Sequence, residues 1–488
     1  MKLKKIGIRF FLCAGIFFLW WHQGKLETKR ETTSYTKLVV AYPSMAAGTQ
    51  DQKLVEEAIN QIVRKKLGLE IEFEVYNADY ERNVNQRLLG QEQLDIVFLY
   101  KSTFEKYMLN DQLVGLDALL LQYGGGIQSA LGTKIIDTCR VNGNLYGLPN
   151  NRDYAVGWDA YMMRKDLLDK YEIDPRKIKT TKDLETVFET IKEGEPDITV
   201  VASSAGNMLS NAYFSLEPVG VHMNEGSDTK VSNLFETDEF LKAVTRIRRW
   251  YLKGYLGEHI LEQTDTVENR VKQGNLFSYA YRAKPGVEQQ ESISCGTKMV
   301  CVQLGKNIVA NNEPSFMQWS ITKNTISPEL SMQLLNLLYT DADIMNLLSY
   351  GVKGVHYVFT EDGHITYPEG VDTNIFAGNA WEMPNQFITY IWEGNSLSLW
   401  TYMKRFNNDA IHGCDFGFNF DSSTVSTEYT SLKEIYNQYV YILGNGLVDP
   451  REGLKKMNEE MKNNYIKEVI AEEQKQFDAW YQKQSDEK

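Results

Sequence analysis

Val141-Asn142-Gly143-Asn144-Leu145-Tyr146-Gly147-Leu148-Pro149 is the stretch on which the reading of this chain turns. Asn-Gly supplies the positive φ angles that a tight two-residue hairpin needs. Pro149 biases Leu148 toward extended backbone, so the chain leaves in a straight line rather than in a helix. The stretch therefore reads as a turn, a very short strand and a Gly-Leu-Pro exit. Lying between two α/β-patterned regions, such a passage reads as a hinge between lobes. Taken alone it fits an ordinary surface hairpin equally well.

The region before it alternates strands and helices. Leu38-Val39-Val40-Ala41-Tyr42 is a buried strand halted by Pro43. The spacing predicts an amphipathic helix over 51–67, with Leu54, Val55, Ala58, Ile59, Ile62 and Val63 on one face and Gly68 as its C-terminal cap. Leu69 to Val75 alternates strictly, as a half-buried strand does. A short polar helix from Tyr80 to Leu89 leads to Leu94-Asp95-Ile96-Val97-Phe98-Leu99, a run typical of a central parallel strand. Sheets of this kind bind ligands at the carboxyl ends of their strands. Those ends carry Tyr42 and Tyr100.

Beyond the hinge stretch a second α/β region begins. Tyr161 to Leu168 reads as a strand running into a helix, and Thr180-Thr181-Lys182-Asp183 as a capping box. Ile198 to Ala202 and Gly274 to Tyr281 read as further strands, and Pro328 to Tyr339 as a helix. Tyr465 to Tyr481 places Ile466, Val469, Ile470, Phe477 and Trp480 on one stripe that should dock on the body. Gly124-Gly125-Gly126 lacks the Gly-Lys-Ser/Thr of a phosphate loop and is expected to be a flexible loop.

At 488 residues, 43% hydrophobic and 24% charged, the chain is long enough for two or three globular domains. Its net charge of −13 argues against nucleic acid or anionic lipid as the main partner. Met1-Lys2-Leu3-Lys4-Lys5 followed by the apolar Ile6–Trp21 has the pattern of a secretory signal or short anchor. Cys13 invites lipid attachment, but Phe11-Leu12 before it is a poor lipobox. Four further cysteines, Cys139, Cys295, Cys301 and Cys414, form no Cys-x-x-Cys motif. Cys295 and Cys301 fit either a pair across a hairpin or buried free thiols. The six histidines are scattered without metal-ligand spacing, and no Gly-x-Ser-x-Gly elbow is present, so no catalytic residue, metal or cofactor is expected.

Several fragments together resemble a known family, the extracellular solute-binding proteins of bacterial ABC importers. Leu113 to Leu120, Val141 to Pro149, and Met163 to Leu168 followed by Thr181 to Leu184 are similar to that family's segments in order and spacing. Glu382 to Phe387, Gly417 to Asp421, Val425 to Glu428, Gly446 to Pro450 and Glu473 to Trp480 resemble a Gram-positive lipoprotein subgroup with a C-terminal domain of unknown function. The resemblance implies two α/β lobes of the type II flytrap class with a helical C-terminal extension. Its implied divisions are 1–31 as signal or anchor and tether, 36–149 as the first part of lobe 1 and 150–312 as lobe 2. Residues 313–412 would return to lobe 1 and cross the hinge, and 413–488 would form the C-terminal domain. It implies a monomer on the extracellular face of the membrane that takes a small solute, foremost a carbohydrate, to permease subunits. A surface carbohydrate-active hydrolase and a ligand-presenting sensor are the alternatives.

A sugar offers flat C–H faces and many hydroxyls, so its site needs aromatic platforms beside carboxylates, amides and arginine. The candidates are the strand-end and hinge residues Tyr42, Tyr100, Asp153, Trp158, Tyr281 and Trp319, with Trp381, Trp392 and Glu393 next. Any single aromatic among them is more often core than ligand contact.

Overall fold

The computed structural model describes residues 35–44, 51–76, 78–202, 220–257, 260, 262–309, 313–371, 376 and 378–486. Cys13 and the proposed signal lie outside them.

The first strands and helices follow the sequence pattern closely. β1 (Thr36–Pro43) pairs in parallel with β2 (Leu69–Tyr76), Leu38 opposite Ile71. Between them, α1 (Gln52–Leu67) buries Val55, Ile59 and Val63 and ends at Gly68, whose φ of 66° is left-handed. Leu54 points outward at 45% exposure, contrary to expectation. The helix is rotated so that Asn60 faces inward, exchanging two hydrogen bonds with the backbone of Ile71 at 2.7 and 2.8 Å. α2 (Tyr80–Leu89) leads to β3 (Ile96–Tyr100) on the other side of β1, and α3 (Lys101–Leu109) follows at once. The triple glycine is no loose loop, because it opens the helix Gly125–Leu131. A Cβ at Gly126 would stand 2.4 Å from the Thr340 methyl, so the close approach of the two helices needs glycine there.

The opening stretch forms a hairpin, β4 (Arg140–Val141) with β5 (Asn144–Leu145). Asn142 and Gly143 have φ of 51° and 83°, the two positive angles of a type I′ turn. β6 (Leu148–Pro149) then joins the first sheet as its edge. The Tyr339 hydroxyl fixes it, donating to the carbonyls of Leu148 and Pro149 at 3.2 and 2.9 Å.

The second sheet is built on β7 (Val156–Arg164), which starts five residues before the expected strand. α4 (Thr181–Gly194) follows with both halves of its capping box formed between Thr180 and Asp183. β8 (Thr199–Ala202), the small hairpin β9 (Gly220–His222) and β10 (Val231–Asn233), and α5 (Asp238–Leu252) come next. β11 (Leu276–Ala283) lies between β7 and β8, and α6 (Val287–Cys295) packs behind it. β12 (Met299–Gln303) and β13 (Asn307–Val309) flank the other edge of β7. The core centres on Tyr161, Phe188 and Trp250, packed edge to face with ring centroids 5.2–6.3 Å apart.

The chain then returns. β14 (Met317–Ile321) inserts antiparallel between β3 and β6, completing the order β2-β1-β3-β14-β6. α7 (Pro328–Thr340) and α8 (Ala342–Tyr350) pack on this sheet, and the hairpin β15 (Val358–Phe359) with β16 (Ile365–Thr366) follows. α9 (Leu399–Asp409) leads back to the second sheet, where β17 (Ile411–His412) pairs with β13. Three final helices, α10 (Ser426–Gly444), α11 (Pro450–Asn463) and α12 (Ile466–Asp486), belong to the core of the second lobe. Leu432, Leu443, Met457 and Val469 are buried beside Phe240 and Trp250 there.

All four cysteines after Cys13 are free thiols, Cys139 and Cys295 buried. No helix of the described residues is long and apolar enough to cross a membrane.

Candidate inter-lobe site

The passage from β6 to β7 is the floor between the lobes, and side chains from three directions hold it. Asn407 of α9, 2% exposed, accepts from the amides of Tyr154 and Ala155 at 3.2 and 3.0 Å. Its own amide donates to the Arg152 carbonyl at 2.9 Å. Asn150 donates to the Trp381 carbonyl at 3.0 Å, and the Asn151 amide donates to the Pro384 carbonyl at 2.9 Å. Arg152 donates to the Glu313 carboxylate at 3.2 Å, and Arg282 at the end of β11 reaches the same carboxylate at 2.7 Å. Lys284 donates to Asp153 at 2.6 Å. Two buried carboxylates on the crossings thus hold cations from the second lobe.

Aromatic rings line up across the carboxyl end of the first sheet. Tyr42 lies 6.2 Å from Trp319, Trp319 lies 5.5 Å from Phe98, and Phe98 lies 5.1 Å from Tyr100. Phe316, 5.7 Å from Tyr100, ends the row at 42% exposure. The Tyr100 hydroxyl donates to Glu382 at 3.1 Å, and Asn379 donates to the other oxygen of that carboxylate at 2.7 Å. Burial raises the Glu382 carboxyl above its ordinary value, and the two donors offset this only in part. Burial likewise pushes the Tyr100 phenol up, with the Glu382 charge adding to it.

A recess of about 970 Å³ opens between α6 of the second lobe and the start of α9. Lys284, Glu288, Gln289, Gln303, Asn395 and Ser396 supply its polar groups, while Leu399, Tyr402 and Phe406 supply apolar surface. Beside it, Trp392 packs on Tyr367 at 4.5 Å and meets Tyr350 edge-on at 5.6 Å. Glu393 accepts from the Thr366 hydroxyl at 2.6 Å.

The nine candidates fall into distinct environments. Tyr42, Trp158 and Trp319 are buried at 6, 6 and 1% exposure, the first accepting from Gln52 at 3.2 Å. Trp158 packs with Val156 and Ile308 in the second lobe, away from the strand-end row. Tyr281 leans on Tyr279 and accepts from Gln290 at 3.1 Å on α6. Asp153 is buried in its pair with Lys284, whereas Trp381 is 36% exposed at the floor. Tyr100 and Trp381 are brought together by Glu382 and Asn150. Trp392 and Glu393 stand apart from them, next to the recess. Sequence reasoning did not single out Phe316, Glu382, Arg152, Arg282, Lys284, Glu313 or Asn407. Among the described residues, no three His, Cys, Asp or Glu side chains are grouped so as to hold a metal ion.

The chain superposes on the N-glycan transport solute binding protein NgtS of Streptococcus pneumoniae with a TM-score of 0.80, over 92% of this chain and 99% of that one, at 23% identity. The fold is that of the solute-binding proteins of ABC importers. Against NgtS in complex with Man5GlcNAc the TM-score is 0.73 at 22% identity, with the same coverage of 92 and 99%. A carbohydrate ABC transporter substrate-binding protein of the same species is 24% identical over 433 residues, 86% of each chain. Residues 416–482 match the domain of unknown function DUF3502, in the region where the sequence resembled such a subgroup.

Proposed function

We propose that this protein captures an oligosaccharide between its two lobes and hands it, unaltered, to the membrane subunits of an ABC importer at the outer face of the membrane. The observation that carries this reading is the composition of the inter-lobe space. Phe316 and Trp381 expose ring surface near the hinge, and Trp392 stands next to a recess with amides, hydroxyls and a lysine, together the mixture a sugar requires. We assign the ligand-facing role to Tyr100, Phe316, Trp381 and Trp392, with Tyr42 and Trp319 as the packing behind them. Asp153 and Glu313 work at the hinge. The lobes would comprise 36–149 with most of 313–409, and 150–312 with β17 and the C-terminal extension, whose helices share the second core.

Capture works by closure. Contacts from a sugar to both lobes exist together only when the lobes approach, so the ligand shifts the population toward the closed form.

A thermal-shift screen of residues 32–488 against mono- and oligosaccharides, peptides and amino acids tests the proposal, with each mixture checked by mass spectrometry. A ligand at ~100 times its dissociation constant adds about 2.7 kcal/mol to the native state. A shift with an oligosaccharide that stays intact supports capture. Breakdown products would make the protein a hydrolase, and a shift with peptides alone would overturn the sugar assignment.

A further inference from the structure

The segment between β17 and α10 leaves the second lobe, touches the first and returns. At its start, His412 is paired to β13 of the second lobe. Four residues on, the Phe416 ring lies under the Lys134 ammonium at 4.8 Å and packs with Ile135 against Tyr154, Val309 and Ala410. Gly417, at φ 92°, turns the chain past Thr138. The Asn419 amide then donates to two carbonyls of the first lobe, Thr138 at 2.8 Å and Arg140 at 3.1 Å. Two residues later the attachment begins to revert, although the Asp421 carboxylate still accepts from the Asn142 side chain of the first lobe. The backbone of Asp421 exchanges two hydrogen bonds with Gln476 of α12, both at 2.9 Å.

α12 is itself fixed to the second lobe. Gln474 accepts from the Val231 amide at 2.7 Å, and Val469 is buried in that lobe's core. Beside the Asn419 contact the fit is looser. A cavity of about 110 Å³ remains between Lys101, Phe104 and Met108 of α3 and Phe420, Ser423 and Ser426 of the extension. The hold on the first lobe is therefore a few directed bonds beside an incompletely filled interface, which can be released at modest cost.

We propose that residues 413–421 are a brace through which the C-terminal domain sets the resting separation of the lobes. The inference rests on the two-lobed capture reading for its purpose, but not for its test. A brace that favours one separation lowers the fraction of closure-competent molecules, and so tunes apparent affinity without touching the ligand.

Asn419→Ala removes both bonds at a half-buried position. Small-angle scattering and amide exchange are measured on the full mature chain without ligand, alongside Lys134→Ala, the double variant and a control, Gln474→Ala. The brace predicts a changed radius of gyration for Asn419→Ala, larger in the double variant, and about tenfold faster exchange across 134–142. The control should loosen 229–231 and leave the scattering as in the wild type. Unchanged scattering and exchange in the double variant would overturn the proposal, whatever the sugar screen returns. A failed sugar screen with altered scattering would overturn only the capture reading.

Discussion

Arg152 donates to Glu313 at 3.2 Å, joining the crossing that leaves the first lobe to the one that returns to it. Both side chains are largely buried, and Arg282 brings the second lobe to the same carboxylate at 2.7 Å. Removing one partner of such a group leaves the others charged and unpaired in a poorly solvated place.

Glu313→Gln should therefore cost about 3 kcal/mol of stability in urea unfolding, more than an exposed ion pair is worth. A loss below about 1 kcal/mol would mean that water already screens the cluster.

Asn407→Ala removes three hydrogen bonds from one buried side chain and strands the amides of Tyr154 and Ala155. The expected loss is about 3 kcal/mol, with faster exchange of those two amides before any others in the lobes. Uniform acceleration throughout the chain would show that Asn407 serves general stability and has no special part in the crossing.

Glu382 gives a pH signature. Burial raises its carboxyl, so the folded protein keeps this proton longer than the unfolded chain does. Its contribution is fully present below the ordinary carboxylate value of about 4.3 and is lost as pH rises through the raised one. Glu382→Gln has no charge to bury. The melting-temperature difference, variant minus wild type, should rise between pH 4 and pH 7. A flat or falling difference would place the ionised form as the one the fold prefers.

Phe316 and Trp392 are at least partly accessible rings on different parts of the candidate site. Substituting either by Ala should weaken binding of a captured oligosaccharide about three- to tenfold, since a ring contact is worth about 0.5–1.5 kcal/mol beyond its area. Calorimetric titration checks this. Equal affinity in both variants would remove these rings from the ligand path.

What could be read from the sequence was local. The Asn142-Gly143 turn, the Thr180–Asp183 capping box and the alternation of Leu69 to Val75 each declare themselves within a few residues, and each formed as read. The site was less legible because its partners are distant in the chain. Tyr100 could be placed at a strand end, but Glu382, which takes its hydroxyl, is 282 residues away. Glu313 carries no motif and gains meaning only when Arg152 and Arg282 converge on it. Trp158 and Trp319 have the chemistry of sugar platforms, yet strand pairing turns them into the packed lobes. Leu54 faced solvent because Asn60 found backbone partners on β2, a pairing that helix periodicity alone does not register.

The central claim, capture of an intact sugar by lobe closure, is tested most directly by small-angle scattering with and without the oligosaccharide that gives the largest thermal shift, with the glycan recovered and weighed afterwards. The account predicts a smaller radius of gyration at saturation and a glycan of unchanged mass. A shortened glycan, or saturation with no change in scattering, would contradict it.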